Sequence, residues 1–275
     1  MISTDPYSAS AVSTTRPDTG TGFKLATRAA FHAILDLQQE RVFAYEALIR
    51  GSEGQGAAFV LGQVDEQQIY SFDQSCRVTA IREAVAAGIV ATGAKLSINF
   101  IANAVTSPRA SVQRALDTAR ETGFPADRLM FEFSENEIVD PAHIRNIVDT
   151  YREMGFQTAI DDFGTGQSGL LRLAMLGTDM VKVDMDLIRG IDRDNRKRAV
   201  LECLVQLFRK LGTEAIVEGV ETEEELAVLR LFGIRYVQGF LFGKPTIGAL
   251  PGYPTRLARA GVAHRHRPGT ARAAM

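Results

Sequence analysis

The 275-residue chain has no tryptophan, two cysteines and four histidines, and its charges nearly cancel at −2. Each shortage excludes something. Cys76 and Cys203 stand alone in helix-like segments without partner spacing, so the sequence carries neither a disulfide framework nor a thiolate metal site, and reduced thiols in a cytoplasmic protein are expected. His32, His143, His264 and His266 are too scattered for a zinc site. A net charge of −2 and a pI of about 6.1 supply no global basic field, so no DNA or RNA duplex is expected as a partner. No apolar run approaches the roughly 18 residues that would cross a bilayer, so no membrane association is expected. The N-terminus is small and polar, without a basic-then-apolar leader, and the cytoplasm is the expected location.

What remains is a chain long and apolar enough (45% hydrophobic) to bury one large core. Residues 1–22 are rich in Ser, Thr, Ala, Gly and Pro without a period and read as a flexible tail. Residues 257–275 form a basic Arg-, Ala- and Gly-rich tail, with residues 23–256 as a single domain between the two. Within it, 29–37 and 41–49 are strand-like runs joined by a polar link, which predicts an opening hairpin. A helix is expected over 67–86, with Ile69, Phe72, Cys76 and Ile81 as its apolar stripe. A strand over 95–100 follows. Helices near 110–122, 141–154, 195–211 and 222–232 then alternate with further apolar runs, and Gly155, Gly212 and Gly233 mark helix ends. Strand–helix alternation predicts a parallel sheet.

The ends of the apolar runs carry the functional signal. LSIN ends on Asn99, LMFEFSE carries Glu132, TAIDD ends on Asp161 and Asp162, MVKVD carries Lys182, AIVEG carries Glu218 and YVQG carries Gln238. An earlier run, VFAYEALIR, holds Glu46 and Arg50. Strands that repeatedly finish on an acid, amide or lysine make a poor core, but this is how a (β/α)₈ barrel assembles a site at its C-terminal face. The expected fold is therefore α/β, a modified TIM (β/α)₈ barrel in which the opening hairpin makes one strand antiparallel to the rest. Any one of these acids alone reads more simply as a helix cap, and Lys182 as a salt-bridge partner. Seven strand ends together would each need a separate structural reason.

The candidate ligands are all hard oxygen donors, which favours Mg²⁺ or Mn²⁺. Adjacent acids at Asp161 and Asp162 can point to different sides, one bridging two ions while the other orients a water or ligand. Two ions about 3.5–4 Å apart suit phosphodiester cleavage, with Lys182 neutralising charge or holding water.

These segments resemble the EAL domain, named for the triplet present here as Glu46-Ala47-Leu48. The resemblance covers roughly residues 24–248 through YEALIR (45–50), SINF (97–100), FEFSE (131–135), IDDFGTG (160–166), VKVD (181–184), VEGVET (217–222) and QGFLFGKP (238–245). It implies a bacterial signalling enzyme on a modified TIM barrel that hydrolyses cyclic di-GMP to linear pGpG with one or two Mg²⁺ or Mn²⁺ ions. By resemblance, Glu46, Asn99, Glu132 and Asp161 bind metal, and Asp162 binds or bridges the second ion. Lys182 lies close to the water, and Glu218 is either the general base or a second-metal ligand. Gln238 and Glu221 support the site, Arg50 contacts a substrate phosphate, and Glu135 props the loop after Asp162. That loop, Phe163 to Gly169, is linked in the family to dimerisation, so a homodimer is expected, with 163–171 on its partner-facing surface.

Two departures stand out. The family's Gln-Pro-Ile is here His32-Ala33-Ile34, which leaves His32 as a candidate substrate donor or a structural histidine. The common GYSS is here Gly166-Gln167-Ser168-Gly169. The alternative reading is a weak or inactive cyclic di-GMP receptor that signals through a protein partner. No receiver, light-sensing or cyclase segment is visible in the sequence, so a separate sensor protein is a possible source of input.

Overall fold

The computed structural model describes residues 25–137, 139–166 and 169–258. The expected N-terminal tail, the basic tail from residue 259 on, and Gln167 lie outside the described residues.

The chain opens as expected with a hairpin, β1 (Thr27–Asp36) and β2 (Arg41–Gly51), paired antiparallel with a bulge at Ile34/Leu35. Helices α1 (Ala57–Leu61), α2 (Ile69–Ala86) and α3 (Ile89–Thr92) lead to β3 (Lys95–Asn99). The succession continues with α4 (Pro108–Thr122), β4 (Leu129–Ser134), α5 (Pro141–Glu153), β5 (Gln157–Phe163), α6 (Gly169–Leu176) and β6 (Met180–Val183). It ends with α7 (Met185–Ile188), α8 (Asn195–Leu211), β7 (Glu214–Val217), α9 (Glu223–Leu231), β8 (Tyr236–Val237) and β9 (Thr246–Ile247). Strands β2 to β8 pair in parallel in sequence order. Strand β1 closes the ring by pairing antiparallel with both β2 and β8. The result is an eight-stranded modified TIM barrel with one antiparallel strand in the ring, and β9 adds a short antiparallel ribbon outside it on β1.

The expected helix boundaries agree with α4, α5, α8 and α9 to within a few residues. Side chains cap the last three of these helices. Asp140 accepts from the Ala142 amide, Asp194 from Arg196 and Lys197, and Thr222 forms a capping box with Glu225. Helix α2 differs from its expected stripe: its buried face includes Asp73, Gln74 and Arg77 alongside Phe72 and Ile81.

Two apolar layers fill the molecule. Outward-facing strand residues such as Ile98, Phe131, Phe133, Val181 and Val217 pack against the helices. A small inner cluster of Ile34, Ala44, Met130, Ala159, Met180, Ile216 and Tyr236 plugs the barrel itself. Because side chains alternate along a strand, residues two positions from this plug also point into the barrel. Those positions are His32, Glu46, Glu132, Asp161, Lys182, Glu218 and Gln238.

Candidate active site

Lys182 stands at the centre of that second layer, 1% exposed at its side chain. Its Nζ lies 2.8 Å from Asp161 Oδ1, 2.8 Å from Glu218 Oε1, 3.0 Å from Glu132 Oε2 and 3.1 Å from Glu46 Oε1. Gln238 Nε2 donates to Glu46 Oε2 at 2.9 Å, and Asn99 Nδ2 donates to Glu46 Oε1 at 3.3 Å. Four carboxylates, three on β2, β4 and β5 and one just past the end of β7, thus share one ammonium.

A regular strand would send Asp161 and Asp162 to opposite faces. Here the β5–β6 register breaks between Ile160 and Phe163, and Asp162 takes a left-handed backbone conformation at φ 56°. Such a conformation is costly outside glycine and concentrates at functional sites. Its effect is to bring both neighbouring carboxylates to one place. Oxygens of Asp161, Asp162 and Glu218 lie within 4.8 Å of one another, and so do oxygens of Glu46, Glu132 and Asp161. Asp161 belongs to both groups and is the shared carboxylate, so the adjacent acids do not point to different sides. Beyond the bulge, Glu135 Oε2 accepts the Gly164 amide at 2.7 Å. A Cβ at Gly169 would stand 2.7 Å from the Glu135 carboxyl group, so the glycine leaves room for that brace.

The electrostatics show which kind of ligand the cluster suits. Burial works against the charge on Lys182, yet Asp161, Glu132, Glu218 and Glu46 hold its pKa well above the ordinary lysine range. One ammonium does not satisfy the acids. Glu132 is pushed up to about 8 by burial and by the Glu46 and Asp161 charges, against the pull of Lys182. Glu218 is raised well above the carboxylate range by burial and by Asp161 and Glu46. Asp162 rises to about 6 through burial and its neighbour Asp161. Glu46 is lowered instead: Lys182, Gln238 and His32 together outweigh its burial. An excess of crowded, all-oxygen, anionic ligands is the donor set of a hard divalent cation, and two overlapping groups sharing Asp161 fit a pair of ions.

The other expected residues fall into two sets. His32 sits opposite Glu46 in the β1–β2 register, with Nε2 3.1 Å from the Gly243 carbonyl oxygen, and burial lowers its pKa. Arg50 lies four residues beyond Glu46 on β2, hence on the same face, half-buried, with Nη1 donating to its neighbour Ile49 O at 2.7 Å. Glu221 is not brought to the cluster: it pairs with Arg189 at 2.9 Å, 40% exposed, in the connection after β7. Two residues absent from the sequence reading are present. Ser97 Oγ donates to Glu132 Oε1, and Ser134 Oγ donates to Asp162 Oδ2 at 3.4 Å. Each lies two residues from an expected ligand on its own strand, so alternation with Asn99 and with Glu132 could have found them.

The EAL domain family model matches residues 26–245. This chain belongs to the EAL domain family. The chain is 27% identical over 224 residues to the blue light- and temperature-regulated antirepressor BluF of Escherichia coli K12, covering 81% of this EAL domain chain and 55% of BluF. It is 36% identical over 156 residues to the probable cyclic di-GMP phosphodiesterase PdeG of the same organism, covering 56% and 30%. The chain therefore spans about half or less of the length of these curated relatives. Among solved structures, a standalone versatile EAL protein from Vibrio cholerae O395 in its c-di-GMP-bound form superposes with a TM-score of 0.82 at 40% identity, covering 86% of this chain and 99% of that one. BlrP1 of Klebsiella pneumoniae, in a manganese/cy-diGMP complex, gives 0.76 at 31% identity, covering 82% and 58%.

Proposed function

We propose that this EAL domain is a metal-dependent phosphodiesterase that hydrolyses cyclic di-GMP to linear pGpG, using Mg²⁺ or Mn²⁺. The observation that carries the reading is the convergence of Glu46, Glu132, Asp161, Asp162 and Glu218 around Lys182 in two groups that share Asp161. Glu46, Asn99, Glu132 and Asp161 would hold one ion, and Asp161, Asp162 and Glu218 a second. Such ions would supply Lewis-acid stabilisation of the phosphodiester and an activated water.

The chain's own groups do the rest. Lys182 sets a fixed positive charge against the developing negative charge at phosphorus, in a buried layer where it acts strongly. Glu218 is placed to serve either as general base, taking a proton from the attacking water, or as a ligand of the second ion. Gln238 fixes the orientation of Glu46, and Ser97 that of Glu132. Arg50 offers a guanidinium fork to a non-bridging phosphate oxygen, and His32 a ring nitrogen near the Gly243 carbonyl in the connection between β8 and β9. Glu135 holds the segment after Asp162 through the Gly164 amide.

The enzyme is proposed to work as a cytoplasmic homodimer that meets through α6, whose Leu170 and Leu171 are 60% and 62% exposed. A separate sensor protein is a possible source of input. Among the described residues no helix is long and apolar enough to cross a membrane.

The test is direct: incubate the purified chain with cyclic di-GMP and Mn²⁺ or Mg²⁺, with and without chelator, and resolve the nucleotides. Metal-dependent pGpG formation is expected. Tight nucleotide binding without cleavage over long incubation would assign the receptor role instead.

A further inference from the structure

The four amides that follow Asn99 are all held, and one carboxylate outside the ligand set holds two of them. Phe100 N donates to Glu132 O at 2.9 Å as the last rung of the β3–β4 pairing. Ile101 N donates to Asp73 Oδ1 at 3.0 Å. Ala102 N and Asn103 N donate to Glu137 Oε2 and Oε1 at 3.0 and 2.8 Å. Glu137 belongs to the connection after β4, so its side chain reaches across to the turn after β3. Its own backbone carbonyl accepts from Arg172 Nη2 at 2.5 Å, on α6. One residue therefore joins the strand end that carries Asn99 to the helix that follows Asp161 and Asp162.

Asn99 needs that support. It is exposed at the barrel mouth, and its side-chain amide makes a long 3.3 Å contact to Glu46. Where its amide oxygen stands relative to the carboxylates then depends on the backbone that leaves the strand. A carboxylate accepting two consecutive amides makes charge-assisted bonds, stronger than neutral ones, and caps the short turn Ala102–Ala104. Asp73 is itself fixed by the buried Arg77 at 2.7 Å, whose guanidinium lies over the Phe100 and Phe131 rings.

Resting on the metal-site reading above, we propose that Glu137 is a positioning residue that sets Asn99 in place as a ligand without touching the ion itself. The experiment measures Mn²⁺ binding to the full chain by the electron paramagnetic resonance signal of free Mn²⁺, with no nucleotide and no turnover. Removal of a residue that orients a metal ligand typically weakens affinity about 10- to 100-fold, so Glu137→Ala is expected to raise the Mn²⁺ Kd by at least about 10-fold. Glu137→Gln keeps one acceptor oxygen and should fall between the alanine variant and wild type. Asp194→Ala is the matched control, since it also loses two backbone amides, those of Arg196 and Lys197, at the start of α8. Its Mn²⁺ affinity should equal that of wild type. Unchanged affinity in Glu137→Ala, or an equal loss in Asp194→Ala, overturns the proposal while leaving the metal site standing. Wild-type protein that binds no Mn²⁺ overturns both. If the alanine variant does not fold, the glutamine variant decides, and wild-type affinity there overturns the proposal.

Discussion

Seven strands each contribute two residues to the barrel interior, and the two layers they form have opposite characters. The lower layer, Ile34, Ala44, Met130, Ala159, Met180, Ile216 and Tyr236, is a buried apolar plug. The upper layer, two residues along the same strands, holds His32, Glu46, Glu132, Asp161, Lys182, Glu218 and Gln238. The pleat is the same in both. What changes is the energy: the plug gains from leaving water, whereas the upper layer crowds carboxylates until Glu132 is pushed to about 8 and Glu218 well above its ordinary range. The plug contributes stability. The upper layer is a strained charge assembly that makes physical sense as a receiver of cations.

Separating the two layers by mutation is the strongest way to sharpen this contrast. Glu218→Ala is expected to lower kcat by about 10²- to 10⁴-fold while the melting temperature of the metal-free protein holds or rises; Glu46→Ala should be similarly severe for kcat but without that gain, because Lys182, Gln238 and His32 favour its charged form in the fold. Rates of pGpG formation alongside thermal melts would show it, and near-normal turnover in Glu218→Ala would remove its assigned role. In the plug, Met130→Ala should do the reverse. It is expected to cost about 2–5 kcal/mol of stability in denaturant unfolding, with activity per folded molecule reduced far less.

Next in size is Arg50→Ala. A charge-assisted bond to a phosphate that remains anionic throughout is worth about 1.5–3 kcal/mol, so KM should rise by about 10-fold or more and kcat should change little. Equal losses in kcat and kcat/KM in steady-state kinetics would place Arg50 on the transition state instead.

The last contrast is the response to pH. Glu132, Asp162 and Glu218 have folded-state pKa values raised above their unfolded ones, so the folded state binds more protons between the two. Their effect on the metal-free protein is therefore a loss of stability as pH rises from about 5 to 8, through the folded pKa of Glu132. Bound Mn²⁺ should flatten that slope and release protons on binding near pH 7, measurable as a buffer-dependent heat in calorimetry. A metal-free melting temperature that climbs over this range would contradict the crowded-carboxylate picture.

Much of this contrast was legible in the sequence. The opening hairpin, the succession of parallel strands and the polar residue at each strand end follow from patterns that chain-local physics enforces. What escaped was non-local or irregular. Asp162 reaches the site only through a bulge and a left-handed backbone, which no alternation pattern encodes. Asp73 and Arg77 stood outside the expected stripe of α2, which counts only apolar residues, yet they form a buried pair. Helix α6 is short and nearly all apolar, with no polar face to reveal its period. Glu221 resembled a site residue by motif, but it lies past the end of β7, in a connection where strand alternation no longer aims side chains into the barrel.

The most direct test of the central claim is the anomalous diffraction of manganese in crystals grown with Mn²⁺ and cyclic di-GMP. The expected result is manganese density within bonding distance of Asp161, flanked by Glu46 and Glu132 on one side and by Asp162 and Glu218 on the other. Crystals containing nucleotide but showing no manganese among these carboxylates, with Lys182 still bonded to all four of its acids, would contradict it.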